Sequence, residues 1–406
     1  MQKPYLIKRI RKFAEGPGGK RMGMWLSFFI YWGGAAAILP YMSVYFESIG
    51  LRGGQIGQLN SIPYFITLVS SVTFAFISDV LKKHLAVLRL CVVGLIIILF
   101  IFPSISGFAA FVPVVLLYSI FSAPANPILD QTTLAVLDNP EKYGTIRAGG
   151  SIGWGIMALI TGFLIDNLGI GLPVIFYINI TFLVIFFGLT FFMEEPKMGL
   201  DEELENPSLR DLGTMFKLPG FLVFLLIIVV WGIGEASIQN FMFLHIKGLG
   251  GSSTLMGFAL SVSLIGEILA FSFADRIQAR LGHFKMILAA FLVLFAWLVG
   301  LSLIRNPNAI PIFQVFGGAG FALMQSGSVA YVNERAPKGL GTTAQALRGG
   351  VYAGLGVGFG AVISGFIYER AGSVLLYRNM AVFVFIGFVF STLVYFRERK
   401  RGERKE

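Results

Sequence analysis

Twelve apolar runs of about 20 residues each follow one another along the chain, and this is the length needed to cross about 30 Å of hydrocarbon. The sequence therefore predicts an all-α integral membrane protein with twelve transmembrane helices. Because the number of spans is even, both termini are expected on the same side of the membrane. The predicted spans lie near 22–46, 56–80, 85–103, 108–130, 145–166, 171–193, 218–244, 254–275, 284–304, 309–332, 342–368 and 373–396.

The composition supports a membrane protein and excludes other classes. Hydrophobic residues make up 56% of the chain and charged residues only 13%, where a soluble protein carries about a quarter charged residues. The 49 glycines suit membrane helices, which approach closely at small residues. The single cysteine, Cys91, excludes an intramolecular disulfide. We assign the net charge of +10 to loops on one side of the membrane and expect no nucleic-acid partner.

The distribution of Lys and Arg predicts the orientation. With a cytoplasmic N-terminus, the outside loops and their margins hold only five of the 32 basic residues: Arg52, Lys247, Arg305, Arg370 and Arg378. The positive-inside rule therefore places both termini in the cytoplasm, and we expect a multi-pass monomer in the inner (cytoplasmic) membrane. The predicted parts are a basic arm (1–21), an N-terminal six-helix bundle (22–193), a polar linker (194–216), a C-terminal six-helix bundle (217–396) and a basic tail (397–406).

The two halves of the chain repeat short motifs in the same order. The second span ends with Asp79 before a basic pair, and the eighth ends with Asp275-Arg276. The fifth span carries Arg147 and the eleventh carries Arg348, each followed closely by two glycines. Such parallel repeats predict two six-helix bundles related by an axis normal to the membrane.

The span number, the six-plus-six division and the acid-then-base motifs resemble the major facilitator superfamily, although the first motif lacks the usual glycine. Two stretches are similar to the proton symporters that include lactose permease and phenylpropionate permease: Gly144-Thr145-Ile146-Arg147 through Trp154, and Gly257 through Glu267. The resemblance implies twelve helices in two bundles. It also implies solute contacts for Asp130, Arg147, Trp154 and Glu267.

The sequence departs from that group at the positions that carry its proton machinery. Gly317 and Gly320 stand where the symporters place a histidine and a glutamate, and Trp297 stands where they place an arginine. The coupling residues of the group are therefore not carried over to this chain.

A solute site is predicted around the fifth span. Arg147, Ser151 and Trp154 recur at helical spacing, so a cation, a hydroxyl and a flat ring share one face. A buried charge needs a partner, so Asp130 is expected to neutralise Arg147 or to accept solute hydroxyls. Asn126 and Tyr31 complete the predicted substrate-binding set.

Two intramembrane acids are predicted to couple protons to transport. Glu267 lies near the middle of the eighth span and is the leading choice; the alternative is a structural bond to a neighbouring helix. Glu235, in the seventh span, is the second choice; the alternative is a solvated position near the outer boundary.

Four charged residues are predicted to act in gating: Asp79, Asp275, Arg276 and Arg348. Arg348 has two readings. It mirrors Arg147 as a solute ligand, or it pairs with a loop carboxylate as a cytoplasmic gate.

We therefore predict a secondary active transporter that moves a small polar solute by alternating access, as a proton symporter. Sugars, nucleosides and small organic acids fit the predicted groups. The alternatives are export of amphipathic drugs by proton antiport and a non-transporting membrane sensor. No phosphate-binding loop, metal-ligand cluster or nucleophile–base pair is visible in the sequence, so we expect no cofactor and no enzyme activity.

Overall fold

The computed structural model describes residues 17–81, 83–137, 143–169, 171–195, 220–336 and 341–402, and in these ranges the regular structure is helical throughout. Most of the predicted linker and of the predicted N-terminal arm lie outside the described residues, as does the end of the tail. The α-helices are α1 Pro17–Ile38, α2 Met42–Ser48, α3 Gly53–Leu81, α4 His84–Ile101, α5 Phe108–Ser122, α6 Ala125–Val136, α7 Tyr143–Asn167, α8 Val174–Thr190, α9 Phe221–Gly248, α10 Ser253–Leu281, α11 His283–Leu303, α12 Ile310–Arg335, α13 Gly341–Gly350 and α14 Phe359–Gly402.

Most helices are long and apolar enough to cross a membrane. Nine helical segments of the described chain meet that criterion, and one of them, Ala344–Arg397, contains both of the last two predicted spans. Gly372 divides these two spans with a positive φ of 72°, a conformation that glycine adopts without strain. The predicted spans near 56–80 and 171–193 correspond to α3 and to the shorter apolar helix α8.

Besides the span near 22–46, which a 3-10 turn at Leu39–Tyr41 divides into α1 and α2, two predicted spans differ from the observed helices. The span near 108–130 is two helices, because α5 ends at Ser122 and α6 begins at Ala125 after Pro124. The helix also continues past Asp130 to Val136, so this acid lies inside α6 and not at its end. The second difference is in the span near 342–368, where a π-helical segment, Val351–Gly358, joins α13 to α14.

Contacts divide the chain into two compact units. The first unit contains residues 1–45 and 66–200, and the second contains residues 46–65 and 201–406. Helix α3 therefore contributes its first part to the second unit and the remainder to the first. The division of the spans into six and six stays a prediction.

In the first unit, α7 packs closely along α1 because glycines remove the side chains that would separate them. A Cβ atom on Gly149 would lie 2.6 Å from the carbonyl oxygen of Trp25, and one on Gly153 would overlap the carbonyl oxygen of Phe29. Only glycine allows this approach, which is typical of membrane helix interfaces. The contact brings the aromatic face of α1 against the polar face of α7.

The second unit uses glycine in the same way. A Cβ atom on Gly318 of α12 would overlap the carbonyl oxygen of Ser263 on α10. A Cβ atom on Gly232 of α9 would lie 2.9 Å from the Cα atom of Gly356 in the π-helical segment. These contacts fix α10 against α12 and hold the π-helical segment directly on α9.

A polar network lies at the end of α2 and the beginning of α3 in the second unit. The two carboxylate oxygens of Glu47 accept hydrogen bonds from Lys247 and from the hydroxyl of Tyr368, each at 2.8 Å. Glu369 accepts a hydrogen bond from the backbone N–H of Gly54, also at 2.8 Å. The network joins α2, α3, α9 and α14.

Candidate functional site

Polar and aromatic side chains of α1, α6 and α7 meet in the first unit. We call them the first-unit cluster: Trp32, Asn126, Asp130, Tyr143, Arg147 and Trp154. All six are half-buried. Two of the six, Arg147 and Trp154, are predicted from the fifth span, and the other four lie on neighbouring spans or just before that span.

Arg147 lies over aromatic rings. Its guanidinium carbon is 4.9 Å from the ring centroid of Trp32 and 5.3 Å from that of Phe28. A guanidinium over an aromatic face gains about 0.5–2 kcal/mol, and the planar group keeps its N–H donors at its edge. The rings therefore hold the cation in place while its edge can still bind an oxygen-rich group.

Asp130 is held by neutral donors. Its carboxylate accepts a hydrogen bond from the hydroxyl of Tyr143 at 2.7 Å and one from the amide of Asn126 at 3.3 Å. Tyr143 also interacts with Arg147, so the hydroxyl links the acid and the base. The predicted neutralisation of Arg147 by Asp130 is thus an electrostatic interaction assisted by Tyr143.

Two buried polar atoms of the cluster have no hydrogen-bond partner within the described chain. They are Nε1 of Trp32, a donor, and Oδ1 of Asn126, an acceptor. Leaving such an atom unsatisfied costs about 1–3 kcal/mol, so a ligand that reaches either one gains a hydrogen bond. A hydroxyl group can satisfy either atom, because it both accepts and donates.

The remaining predicted solute residues lie at the border of the cluster. The ring of Trp154 contacts that of Trp32 at 6.0 Å, edge to face. The Tyr31 ring also contacts Trp32, at 5.7 Å, but its hydroxyl is directed to the carbonyl oxygen of Ser122 at 3.5 Å. Ser151 is half-buried one turn after Arg147.

A second group of polar side chains lies on α9, α3 and the π-helical segment. We call it the second-unit cluster: Trp231, Glu235, Gln239, Tyr352 and Tyr64. The Tyr352 hydroxyl donates to Glu235 at 2.5 Å and lies 3.4 Å from the amide nitrogen of Gln239. Tyr64 donates to the amide oxygen of Gln239 at 3.3 Å. Glu235 is only 6% exposed, so within this structure it is not the solvated acid that one reading predicted.

Glu267 lies half-buried on α10, where the backbone of Gly318 passes close to its own backbone nitrogen. Its carboxylate interacts electrostatically with that of Glu235. Two like charges in a low-dielectric interior repel each other, so a proton taken up by one acid eases ionisation of the other. The structure therefore makes the two predicted proton-coupling acids electrostatic neighbours.

Arg348 is buried in the second unit and is bonded to neutral oxygen atoms. Its guanidinium donates to the side chains of Gln345 at 3.0 Å, Gln325 at 3.1 Å and Ser328 at 3.1 Å. Gln345 in turn donates to Asn333 at 2.8 Å. Arg348 therefore joins α13 to α12 through amide and hydroxyl groups.

The other predicted gating residues lie at the ends of α3 and α10. Asp275 and Arg276 are exposed, and the Arg276 guanidinium carbon lies 5.7 Å from the ring centroid of Phe273. Asp275 also lines an open pocket of about 570 Å³ that includes His283 and Glu334. Asp79 belongs to α3, and its side chain lies outside the described part of the structure. The gating roles of these residues stay predictions.

Within the described residues, no group of His, Cys, Asp and Glu side chains is arranged to hold a metal ion. Together the two clusters consist of hydroxyl, amide, carboxylate, guanidinium and aromatic groups, whose chemistry suits organic polar groups or protons. Residues 22–379 match the MFS_1 like family, which is most of the chain. The chain belongs to this family. It is a multi-pass membrane transporter of the major facilitator type.

Sequence relatives and solved structures agree with that assignment. The chain is 26% identical over 398 residues to maltose permease of Geobacillus stearothermophilus, covering 97% of this chain and 99% of the relative. It is 21% identical over 310 residues to the multidrug resistance protein MdtG of Salmonella choleraesuis, covering 73% and 75%.

The structure of the nucleoside transporter NupG superimposes with a TM-score of 0.82 at 15% identity, covering 92% of this chain and 98% of that one. At this identity the match shows the fold alone. The predicted major facilitator fold is thus confirmed.

Sequence reasoning left several residues of the two clusters out of the predicted site. Trp32, which supports Arg147, is not among the predicted residues, and Tyr143 begins α7 without any distinctive spacing. Tyr352 is likewise absent from the predicted site. A signal for Trp32 was available, since an indole on the first span is a ready partner for a guanidinium on the fifth.

Proposed function

We propose that this transporter moves a small hydroxylated ring solute, a sugar or a nucleoside, together with a proton. The observation that carries the proposal is the first-unit cluster, where a guanidinium edge, a carboxylate and two unsatisfied buried polar atoms lie beside indole rings. A hydroxyl group accepts from Nε1 of Trp32 and donates to Oδ1 of Asn126. A simple carboxylate has no hydrogen to donate to that acceptor.

The aromatic side chains support a ring-shaped solute. Trp154 and Trp32 present indole surface next to Arg147, and a sugar or a base gains apolar contact on such a surface while its hydroxyls bond at the edge. The permease relative is named for maltose and the matched structure for nucleosides, so both solute types occur among proteins similar to this chain.

Coupling to protons is proposed for the second-unit cluster. Glu235 and Glu267 are both intramembrane acids, and such residues mark ion or proton pathways in transporters. Because their electrostatic interaction disfavours ionisation of both acids at once, we infer that at least one of them is protonated for part of the cycle.

The solute is tested by counterflow of radiolabelled compounds in proteoliposomes. We expect saturable exchange of at least one sugar or nucleoside, and weaker exchange of the matched compound that lacks its hydroxyls, because Asn126 and Trp32 then stay unsatisfied. Thermal stabilisation of the purified protein by the same compounds gives an independent measure of binding. Exchange that is confined to carboxylic acids contradicts the proposal.

Drug export is the second candidate, and the relationship to MdtG supports it. The aromatic part of the first-unit cluster suits amphipathic compounds as well as rings. Exchange of amphipathic cations without any exchange of hydroxylated solutes selects this alternative.

The coupling role is tested with Glu267→Gln and Glu235→Gln, which keep size and hydrogen bonding but cannot release a proton. We expect uptake driven by a pH gradient to be lost, while energy-free exchange of labelled for unlabelled solute persists. The exposed acid Glu334, paired with His283 at 3.0 Å, supplies the control Glu334→Gln, for which both activities are expected to persist. If gradient-driven uptake and exchange fall by the same factor, the acid binds solute and does not carry the proton.

We also propose that both termini face the cytoplasm, from the asymmetry of Lys and Arg. Cys91 is fully buried, so the native chain gives a low labelling background. A cysteine at Gly107, in the turn before α5, is expected to react with a membrane-impermeant thiol reagent added outside intact cells. Reaction of a cysteine at Asn206 under the same conditions contradicts the orientation.

A further inference from the structure

Residues Val351–Gly358 of the second unit form a π-helical segment. π-Helices are rare and are frequently found at functional sites. This segment contains Gly354, Gly356 and Gly358, and each glycine weakens an α-helix by about 1 kcal/mol relative to alanine. The three glycines thus leave this segment with little intrinsic stability as a regular α-helix.

The segment is held against α9 by two contacts of different kinds. The Gly356 and Gly232 backbones approach so closely that a Cβ atom on Gly232 would lie 2.9 Å from the Cα atom of Gly356. One turn earlier, the hydroxyl of Tyr352 donates to the Glu235 carboxylate at 2.5 Å, and the rings of Tyr352 and Trp231 are 5.9 Å apart. The first contact is independent of charge, whereas the second depends on the charge of Glu235.

The titratable groups that face Glu235 come from three elements besides its own helix. Tyr352 lies on the π-helical segment, Tyr64 on α3 and Glu267 on α10. Arg348, one turn before Tyr352, interacts electrostatically with the Tyr352 side chain. The anion thus faces another acid and two phenols, and its direct stabilisation comes from the Tyr352 hydroxyl and the Gln239 amide.

We propose that Tyr352 is a positioning residue that couples the charge of Glu235 to the helical form of segment 351–358. An ionised Glu235 binds the Tyr352 hydroxyl through a charge-assisted hydrogen bond, roughly twice as strong as a neutral one, and this holds the π-helical form. When Glu235 is protonated, the bond weakens and the segment relaxes to α-helix. A π-helical turn holds about one residue more than an α-helical turn. When that turn becomes α-helical, the helix after the segment rotates by about 100° relative to the helix before it.

The proposal rests on the proton-coupling role of Glu235 and adds that protonation of this residue changes the local helix geometry. Rotation of the segment changes which face of the following helix is directed to α9. A proton on Glu235 then alters helix orientation without any solute being present. The local switch is therefore testable apart from transport, in protein that has neither solute nor gradient.

Hydrogen–deuterium exchange of the purified protein in nanodiscs tests the switch. Exchange of the 351–358 amides is compared at about pH 5 and about pH 8.5, a range wide enough to titrate a buried carboxyl group, after correction for intrinsic exchange. We expect about tenfold slower exchange at low pH, because the α-helical form has hydrogen bonds of better geometry than the π-helical form. The tenfold factor is about the size expected for the loss of one hydrogen bond from Tyr352 to the ionised Glu235 carboxylate. Equal protection at both pH values, or greater protection at high pH, contradicts the proposal.

Three variants make the assignment specific. Glu235→Gln and Tyr352→Phe are each expected to show the low-pH exchange at both pH values. Tyr368→Phe is the matched control: it removes a Tyr–Glu hydrogen bond of 2.8 Å farther along the same helical run, and it is expected to keep the pH dependence. Persistent pH dependence in Tyr352→Phe overturns the role of Tyr352.

The outcome is separable from that of the transport assays. If Glu235→Gln loses the pH-dependent exchange but retains gradient-driven uptake, the switch stands and the proton-carrier role of Glu235 fails. If the uptake is lost while the pH dependence of exchange persists, the proton-carrier role stands and the switch is wrong.

Discussion

Arg147 and Arg348 occupy the same place in the repeated sequence pattern, yet their surroundings differ. Arg147 lies over the rings of Trp32 and Phe28 and is half-buried. Arg348 is 8% exposed and donates to three side-chain oxygens. Aromatic rings use the face of a guanidinium and leave its edge free to bind, whereas side-chain oxygens use the edge itself. The same residue type is thus suited to binding in one unit and to bracing helices in the other.

The largest effect is expected from Arg348→Ala, as a loss of stability. Removing the guanidinium leaves the oxygens of Gln325, Gln345 and Ser328 without their donor, and buried unsatisfied groups cost about 1–3 kcal/mol each. We expect a loss of about 3 kcal/mol, seen as a lower midpoint of thermal unfolding. Arg378→Ala, at an exposed arginine of the same unit, is the control and should change the midpoint little. If Arg348→Ala keeps the wild-type unfolding midpoint but abolishes solute binding, Arg348 is a binding residue like Arg147, and the contrast between the two arginines is wrong.

A smaller effect, on binding, is expected from Arg147→Lys. Lysine keeps the charge but loses the planar fork and the stacking on Trp32, and we expect about 30-fold weaker solute binding, or about 2 kcal/mol. Arg89→Lys is the matched control, because Arg89 also lies over a ring, 4.3 Å from the centroid of Phe191, and bonds Thr190 in the same unit. Binding by both variants is measured by isothermal calorimetry. Near-native affinity of Arg147→Lys would make Arg147 structural, like Arg348.

The smallest effect is expected from Trp32→Phe. This change keeps an aromatic face below Arg147, so it tests the Nε1 donor apart from the support that the ring gives to the guanidinium. The change removes the Nε1 donor together with the five-membered ring of the indole, and binding is expected to weaken about fivefold, or about 1 kcal/mol. Stability is expected to stay or rise, since the lost N–H is buried without a partner in the described chain. Trp25→Phe, on the same helix and stacked on Phe29, is the control for ring size. Unchanged affinity excludes a solute bond to Nε1.

The sequence predicted the membrane helices well because each apolar span is a local pattern that must match the thickness of the bilayer. It also indicated the break between the last two spans, where Gly372 has its positive φ. The π-helical segment was not predictable, because its glycines fit an ordinary membrane helix equally well. The break before Ala125 was missed as well, since Pro124 lies within an otherwise continuous apolar run.

The site was predicted only as far as single helices allow. Helical spacing places Arg147, Ser151 and Trp154 on one face of α7. Spacing carries no information on which residues of α1 or α6 meet that face, so the link through Tyr143 and the support from Trp32 came from the structure. The contrast between the two arginines was hidden for the same reason, because their partners lie on other helices.

Gly372 joins the last two spans without a loop, since helical structure runs on both sides of this residue. Only rotation about the two backbone torsions of Gly372 can accommodate a movement of one helix relative to the other. An axial shift or a twist of one helix beyond that is therefore passed on to the other helix.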